Sequence, residues 1–175
     1  MKLQDHLPVK PHVGYQITSG EILCRRHTQD GFLEVRETYF RGHHARLLFI
    51  DGALQSAMVP EDGRRHMLLF PYMQCFSWPF SAGREVKKSL LIGGGGFVWP
   101  RYSLKMYPDC TVDAAEISRD IIEVSREYFF LDELCASPHF QLIEGDGLTH
   151  LMGSAVQYDL IILDAFTGAD ADSGL

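Results

Sequence analysis

Hydrophobic positions along the chain fall into two patterns. Through the first sixty residues they gather in short segments, 20–26, 32–40 and 46–50, rich in β-branched, aromatic and aliphatic side chains, and these predict strands. Turn signals at Asp30-Gly31 and Arg41-Gly42 separate them. Asp51-Gly52 is a strong two-residue hairpin signal, after which Ala53, Leu54, Gln55 and Ser56 continue as a further strand. A β-meander or pair of hairpins is the expectation. Residues 61–80 then turn helical in character, with apolar side chains at Met67, Leu68, Phe70, Met73 and Phe76, although Pro71 should kink or split that helix.

From Lys88 onward strands alternate with helices, the mark of a parallel sheet with crossover connections. Strands are expected at 88–94, 110–117, 139–147 and 158–166, with helices at 97–106, from Ser118 to Phe129, and at 147–153. Ser118 can cap the second helix, where Ile121, Ile122, Val124, Ser125, Tyr128 and Phe129 give a broad buried face. The run Leu160, Ile161, Ile162, Leu163 reads as a strand covered on both faces. The domain division that follows is a β unit over 1–60, a helical connection over 61–84 and an α/β domain over 85–175.

Charge and composition narrow the ligand. Sixteen basic against twenty-three acidic residues give a formal charge of −7 and a pI near 5.5, so the positive field that nucleic acid requires is missing. No stretch approaches the roughly 18 apolar residues of a membrane span, and the opening MKLQDHLPVKPHV lacks a signal-peptide core. The expected setting is the cytoplasm, with no membrane partner. Cys24, Cys75, Cys110 and Cys135 never form a C-x-x-C pair, and His43 and His44 point to opposite faces of a strand. No metal site is expected.

In a parallel sheet of this kind ligands bind outside the carboxyl ends of the strands, where strand order reverses. There the first strand ends in Gly93, Gly94, Gly95 and Gly96, the second in Glu116 and Ile117, the third in Asp146 and Gly147, and the fourth in Asp164. The glycines allow a sharp turn and a close approach of backbone to ligand. Alone they would mark only a tight turn, but the acids at three successive strand ends ask for a shared explanation. Glu116 follows Gly93 at close to the roughly 20 residues at which a carboxylate meets ribose hydroxyls. The dinucleotide pattern G-x-G-x-x-G fails, since Val98 or Trp99 falls in its last place. An adenosine without a diphosphate, such as S-adenosylmethionine or its decarboxylated form, fits better than NAD.

Between Arg46 and Thr167 the chain resembles the spermidine synthase (polyamine aminopropyltransferase) family. RLLFIDGALQS is similar to that family's L-x-L-D-G-x-x-Q-x-T/S, LLIGGGG to I-G-G-G-D-G-G, DAAEIS to V-E-I-D, IEGDG to G-D-G/A, and YDLIILDAFTG to Y-D-V-I-I-x-D-S-S-D-P. The resemblance implies a Rossmann-like, S-adenosylmethionine-dependent methyltransferase fold behind a small N-terminal β unit. It also implies that Glu116 holds the ribose, that Asp146 and Gly147 meet the adenine, that Gln55 closes over the nucleoside and that Asp164 faces the reacting amine. Three positions differ: Gly96 stands where the family has an aspartate, the Tyr-x-Glu element would fall near His66 and Leu68, and Thr167 replaces a second aspartate.

The implied reaction is aminopropyl transfer from decarboxylated S-adenosylmethionine to a polyamine acceptor. The alternatives are an S-adenosylmethionine-dependent methyltransferase and a nucleoside-binding homologue without turnover. Strand four would leave an apolar edge, so the expectation is that a partner subunit of a homodimer or higher homo-oligomer covers it, or that the natural chain is longer.

Overall fold

Two-residue turns shape the N-terminal half. The computed structural model describes residue 17 and residues 19–165. Strands β1 (Glu21–Thr28), β2 (Gly31–Phe40), β3 (His43–Ile50) and β4 (Ala53–Met58) form an antiparallel meander in that order. Arg41-Gly42 and Asp51-Gly52 both lie at positive φ, the conformation whose twist suits a hairpin. Asp51 ties the second turn to β2, because its Oδ1 accepts from the Phe32 amide at 2.7 Å. Strand β3 is buried on both faces: Leu47 and Phe49 join the main core, while Leu48 packs in a second cluster with Val98, Val124 and Phe129.

Residues 61–80 do not form the expected helix. Phe70 is extended, as a residue before proline tends to be, and Pro71–Ser77 is a 3-10 helix followed by the one-turn α1 (Trp78–Ser81). Pro71 lacks the N–H that would continue a helix across it, and Gly63 turns the chain before it at φ +78°.

The second half holds a parallel sheet of β5 (Lys88–Ile92), β6 (Thr111–Glu116), β7 (Phe140–Glu144) and β8 (Leu160–Leu163) in the order β7-β6-β5-β8. Helices α2 (Val98–Met106), α3 (Arg119–Tyr128), α4 (Leu131–Cys135) and α5 (Gly147–Gly153) connect them. Ser118 caps α3, its Oγ accepting from the Ile121 amide at 3.2 Å. The core joins Leu91, Val112, Ala114 and Ile162 of the sheet to Phe97, Trp99 and Ile122.

Strand β8 corrects one expectation. Ile162 is buried, yet Ile161 is 43% and Leu163 70% exposed. Among the described residues its parallel neighbour is β5, and none of them covers Ile161 and Leu163 fully. The last residue expected in that strand, 166, and Thr167 lie outside the described residues.

Candidate functional site

Strand order reverses at β5, which pairs with β6 on one side and β8 on the other, so the chain departs in opposite directions from its C-terminal end. Gly93 makes the close approach there. A Cβ on it would lie 2.5 Å from the Asp164 carbonyl oxygen, and its φ of +96° suits only glycine. A cavity of about 810 Å³ opens at this point, bounded by the strand ends, β4 and the 3-10 helix. Its lining includes Gln55, Gly93, Gly94, Gly95, Glu116, Ile117, Asp146, Gly147 and Asp164, all candidates named from the sequence.

Gly96 is the exception. It is buried and absent from the lining, and a Cβ there would meet Ser56 Oγ at 2.6 Å and Phe129 Cδ1 at 2.9 Å, so packing leaves no room for a side chain. Restoring an acid here, Gly96→Asp, would bury an unpaired carboxylate in occupied space. A loss of about 2–4 kcal/mol in denaturant unfolding is expected; an unchanged midpoint would contradict this packing account.

Glu116 is buried on the cavity floor, 6% exposed. Its Oε2 accepts from the Gly94 amide at 2.8 Å and lies 3.4 Å from the Gly95 amide, while Oε1 accepts from the Ser118 amide at 2.8 Å. The carboxylate thus holds the glycine loop to the start of α3. Each oxygen has two lone pairs, which leaves acceptor capacity for hydroxyls in the cavity. From the other side Ser125 Oγ donates to the Gly95 carbonyl at 2.7 Å and steadies the same loop.

Asp146 caps α5, its Oδ1 accepting from the Thr149 amide at 2.7 Å, and hydrogen bonding from the Thr149 side chain, then from that amide, holds its carboxyl below the usual range. Ile117 is 70% exposed at the cavity, an apolar surface against which a flat ring can lie. Gln55 enters from β4.

Asp164 is different in kind. Burial pushes its carboxyl up to about 6, and the hydroxyl of Tyr72, donating to Oδ2 at 3.2 Å, partly offsets that rise. Burial, and then the neighbouring Asp164, push the phenol of Tyr72 up in turn, so it remains a donor. Tyr72 was missed in the sequence. The expected Tyr-x-Glu element was placed near His66 and Leu68, but His66 lines a separate cleft. With the 3-10 helix in place the residue facing Asp164 is Tyr72, and a tyrosine following Pro71 was the available signal. Phe70 stacks on Tyr72 at 5.8 Å and extends this wall.

Among the described residues four carboxylates, Asp30, Glu116, Asp146 and Asp164, line the cavity against one guanidinium, Arg41, so this lining favours cationic ligands. Among the described residues no three His, Cys, Asp or Glu side chains are arranged to hold a metal ion, and no helix is long and apolar enough to cross a membrane.

No protein-family model matches the chain. It is 27% identical over 160 residues to the polyamine aminopropyltransferase of Nitrosomonas europaea, covering 90% of this chain and 46% of that one. It is 32% identical over 127 residues to putrescine N-methyltransferase 3 of Nicotiana tabacum, covering 70% of this chain and 31% of the relative. Among solved structures, the spermidine synthase of Thermotoga maritima superposes with a TM-score of 0.63 at 19% identity, over 82% of this chain and 47% of that chain. This chain therefore spans about half, or less, of the length of each of these three relatives. In its parallel strand order β7-β6-β5-β8 and in sequence, the chain is similar to polyamine aminopropyltransferases and putrescine N-methyltransferases, and it shares the fold of the spermidine synthases.

Proposed function

We propose that the cavity binds decarboxylated S-adenosylmethionine and that the protein transfers its aminopropyl group to a polyamine. The observation that carries this reading is the convergence of Glu116, Asp146 and Asp164 on one cavity, beside the glycine loop and apolar side chains such as Ile92, Ile117 and Ile121. Such a donor fits the residues present: Glu116 for the ribose, Ile117, Asp146 and Gly147 around the base, and an acidic surround for a sulfonium. The sulfonium supplies an activated carbon and a neutral thioether leaving group.

What remains for the protein is to bind, align and deprotonate the amine. Asp164 Oδ2 is engaged by Tyr72, and Oδ1 has no hydrogen bond among the described residues. A protonated amine entering along the Phe70–Tyr72 wall meets that second oxygen. Its proton passes to Asp164, the nitrogen lone pair is freed, and the C–N bond forms as the C–S bond breaks.

A carboxylate that ionises near pH 6 makes activity rise through that region and level off above it. Tyr72→Phe removes a hydrogen bond that favours the ionised form, so the acid limb of the pH–rate profile should move to higher pH. A limb that stays in place would detach Tyr72 from Asp164.

The reading is tested by incubating the protein with a diamine and either decarboxylated or intact S-adenosylmethionine. Release of methylthioadenosine with the decarboxylated donor is expected. Release of S-adenosylhomocysteine from the intact donor would instead identify a methyltransferase, the second reading, which the 32% identity to a putrescine N-methyltransferase favours. No turnover with either donor would leave a binding homologue.

A further inference from the structure

A second cleft, of about 240 Å³, lies between residues 62–66, α2 and α4, and its lining shares no residue with the first cavity. Arg65, Arg101 and Lys105 bring three cations to it against the carboxylates of Asp62 and Glu133. That local excess of positive charge stands out in a chain of formal charge −7.

Arg101 is the centre of the arrangement. Its side chain is 9% exposed, and its Nη2 donates to the carbonyls of Phe129 and Phe130. Its Nη1 is 3.8 Å from Glu133, beyond hydrogen-bond reach, and its Nε is buried with no acceptor among the described residues. Burial, with neighbouring Arg65 adding to it, pulls this guanidinium below its usual range, whereas Glu133 opposes the fall. Glu133 is itself engaged elsewhere: both its oxygens accept from Arg65 Nη1, at 2.7 and 2.6 Å. Arg65 is held over the Phe130 ring at 3.6 Å, so two guanidiniums are fixed side by side with one half-exposed carboxylate between them. Lys105 is exposed at the rim and makes no ion pair among the described residues.

A buried charged donor without an acceptor is costly, and the guanidinium that carries it lines the cleft. The cleft is several times the roughly 30 Å³ that one water occupies in the liquid. We propose that it binds an oxyanion of the phosphate class, inorganic phosphate or a phosphomonoester. Arg65 and Arg101 form the preset floor of the site and Lys105 closes its rim. Glu133 holds the arginines in place when the anion is absent and competes with it.

The test is calorimetric titration of the full chain with inorganic phosphate and, separately, with glycerol 3-phosphate, each against sodium chloride at matched ionic strength. Saturable binding is expected in at least one arm, and the tighter arm identifies the free ion or the ester. Lys105→Glu should weaken binding about tenfold or more, and Glu133→Gln should tighten it about threefold. Lys105 is exposed, so its variant tests the site even where loss of the Arg65 partner disturbs folding of the other; thermal melting checks both. Heats that match sodium chloride, or the same affinity after Lys105→Glu, would overturn the proposal.

Discussion

Replacing Asp164 by asparagine should slow transfer by about two to four orders of magnitude, the range for a lost acid–base group, while changing nucleoside affinity by no more than about twofold. The separation follows from the geometry. Asparagine keeps the shape of the side chain and can still accept from the Tyr72 hydroxyl, so the wall of the cavity stands. What it cannot do is take a proton from an amine. The raised carboxyl, near 6, is matched to that task, because it is ionised at neutral pH yet basic enough to hold the proton during transfer. Single-turnover rates with saturating donor, alongside a direct affinity measurement, separate the two effects. Equal rates in variant and parent would remove Asp164 from the chemistry.

Glu116→Ala should produce the second large effect, a loss of about one to two orders of magnitude in nucleoside affinity, since hydrogen bonds to a charged acceptor contribute roughly 1.5–3 kcal/mol each. Here the structure adds a complication with a use. Glu116 also holds the amides of Gly94 and Ser118, so alanine removes the proposed ligand contact and the support of the loop together. Glu116→Gln separates them. Its amide oxygen can keep one of these backbone bonds, and the fold should persist, while binding still weakens by about tenfold because the charge is gone. Should glutamine bind the nucleoside as tightly as glutamate, Glu116 would serve the loop alone.

The parts of this fold that were legible in the sequence are those set by local chemistry. Arg41-Gly42 and Asp51-Gly52 adopt positive φ because few residue pairs tolerate it, and their strands follow with nearly the expected bounds. Ser118 caps α3 where the cap was expected, and α5 spans the expected residues. The candidate acids converge because they end adjacent parallel strands, a consequence of register more than of any single residue.

What escaped depended on tertiary context. The apolar spacing at Met67, Leu68, Phe70 and Met73 resembles a helix, yet Phe70 and Met73 are fitted to the core from an extended segment and a 3-10 turn. Because that segment was misread, Tyr72 was not placed opposite Asp164. The short α4 has too few residues to show a period, and Phe130 before it adopts a left-handed conformation that no local signal marks. Gly96 resembled its three neighbours in sequence, but only the position of Ser56 and Phe129 reveals that the space beside it is filled. The apolar run of β8 could not foretell that Ile161 and Leu163 are exposed among the described residues, since burial depends on neighbours and not on composition.

One titration bears most directly on the nucleoside cavity: calorimetry of the protein with decarboxylated S-adenosylmethionine, S-adenosylmethionine, methylthioadenosine and NAD, repeated on Glu116→Ala. Tight binding of the decarboxylated donor and of methylthioadenosine, weaker binding of the carboxylated form, no binding of NAD and a uniform loss in the variant are the predicted results. Preference for NAD, or sulfur nucleosides that bind the variant as well as the parent, would contradict the assignment of this cavity.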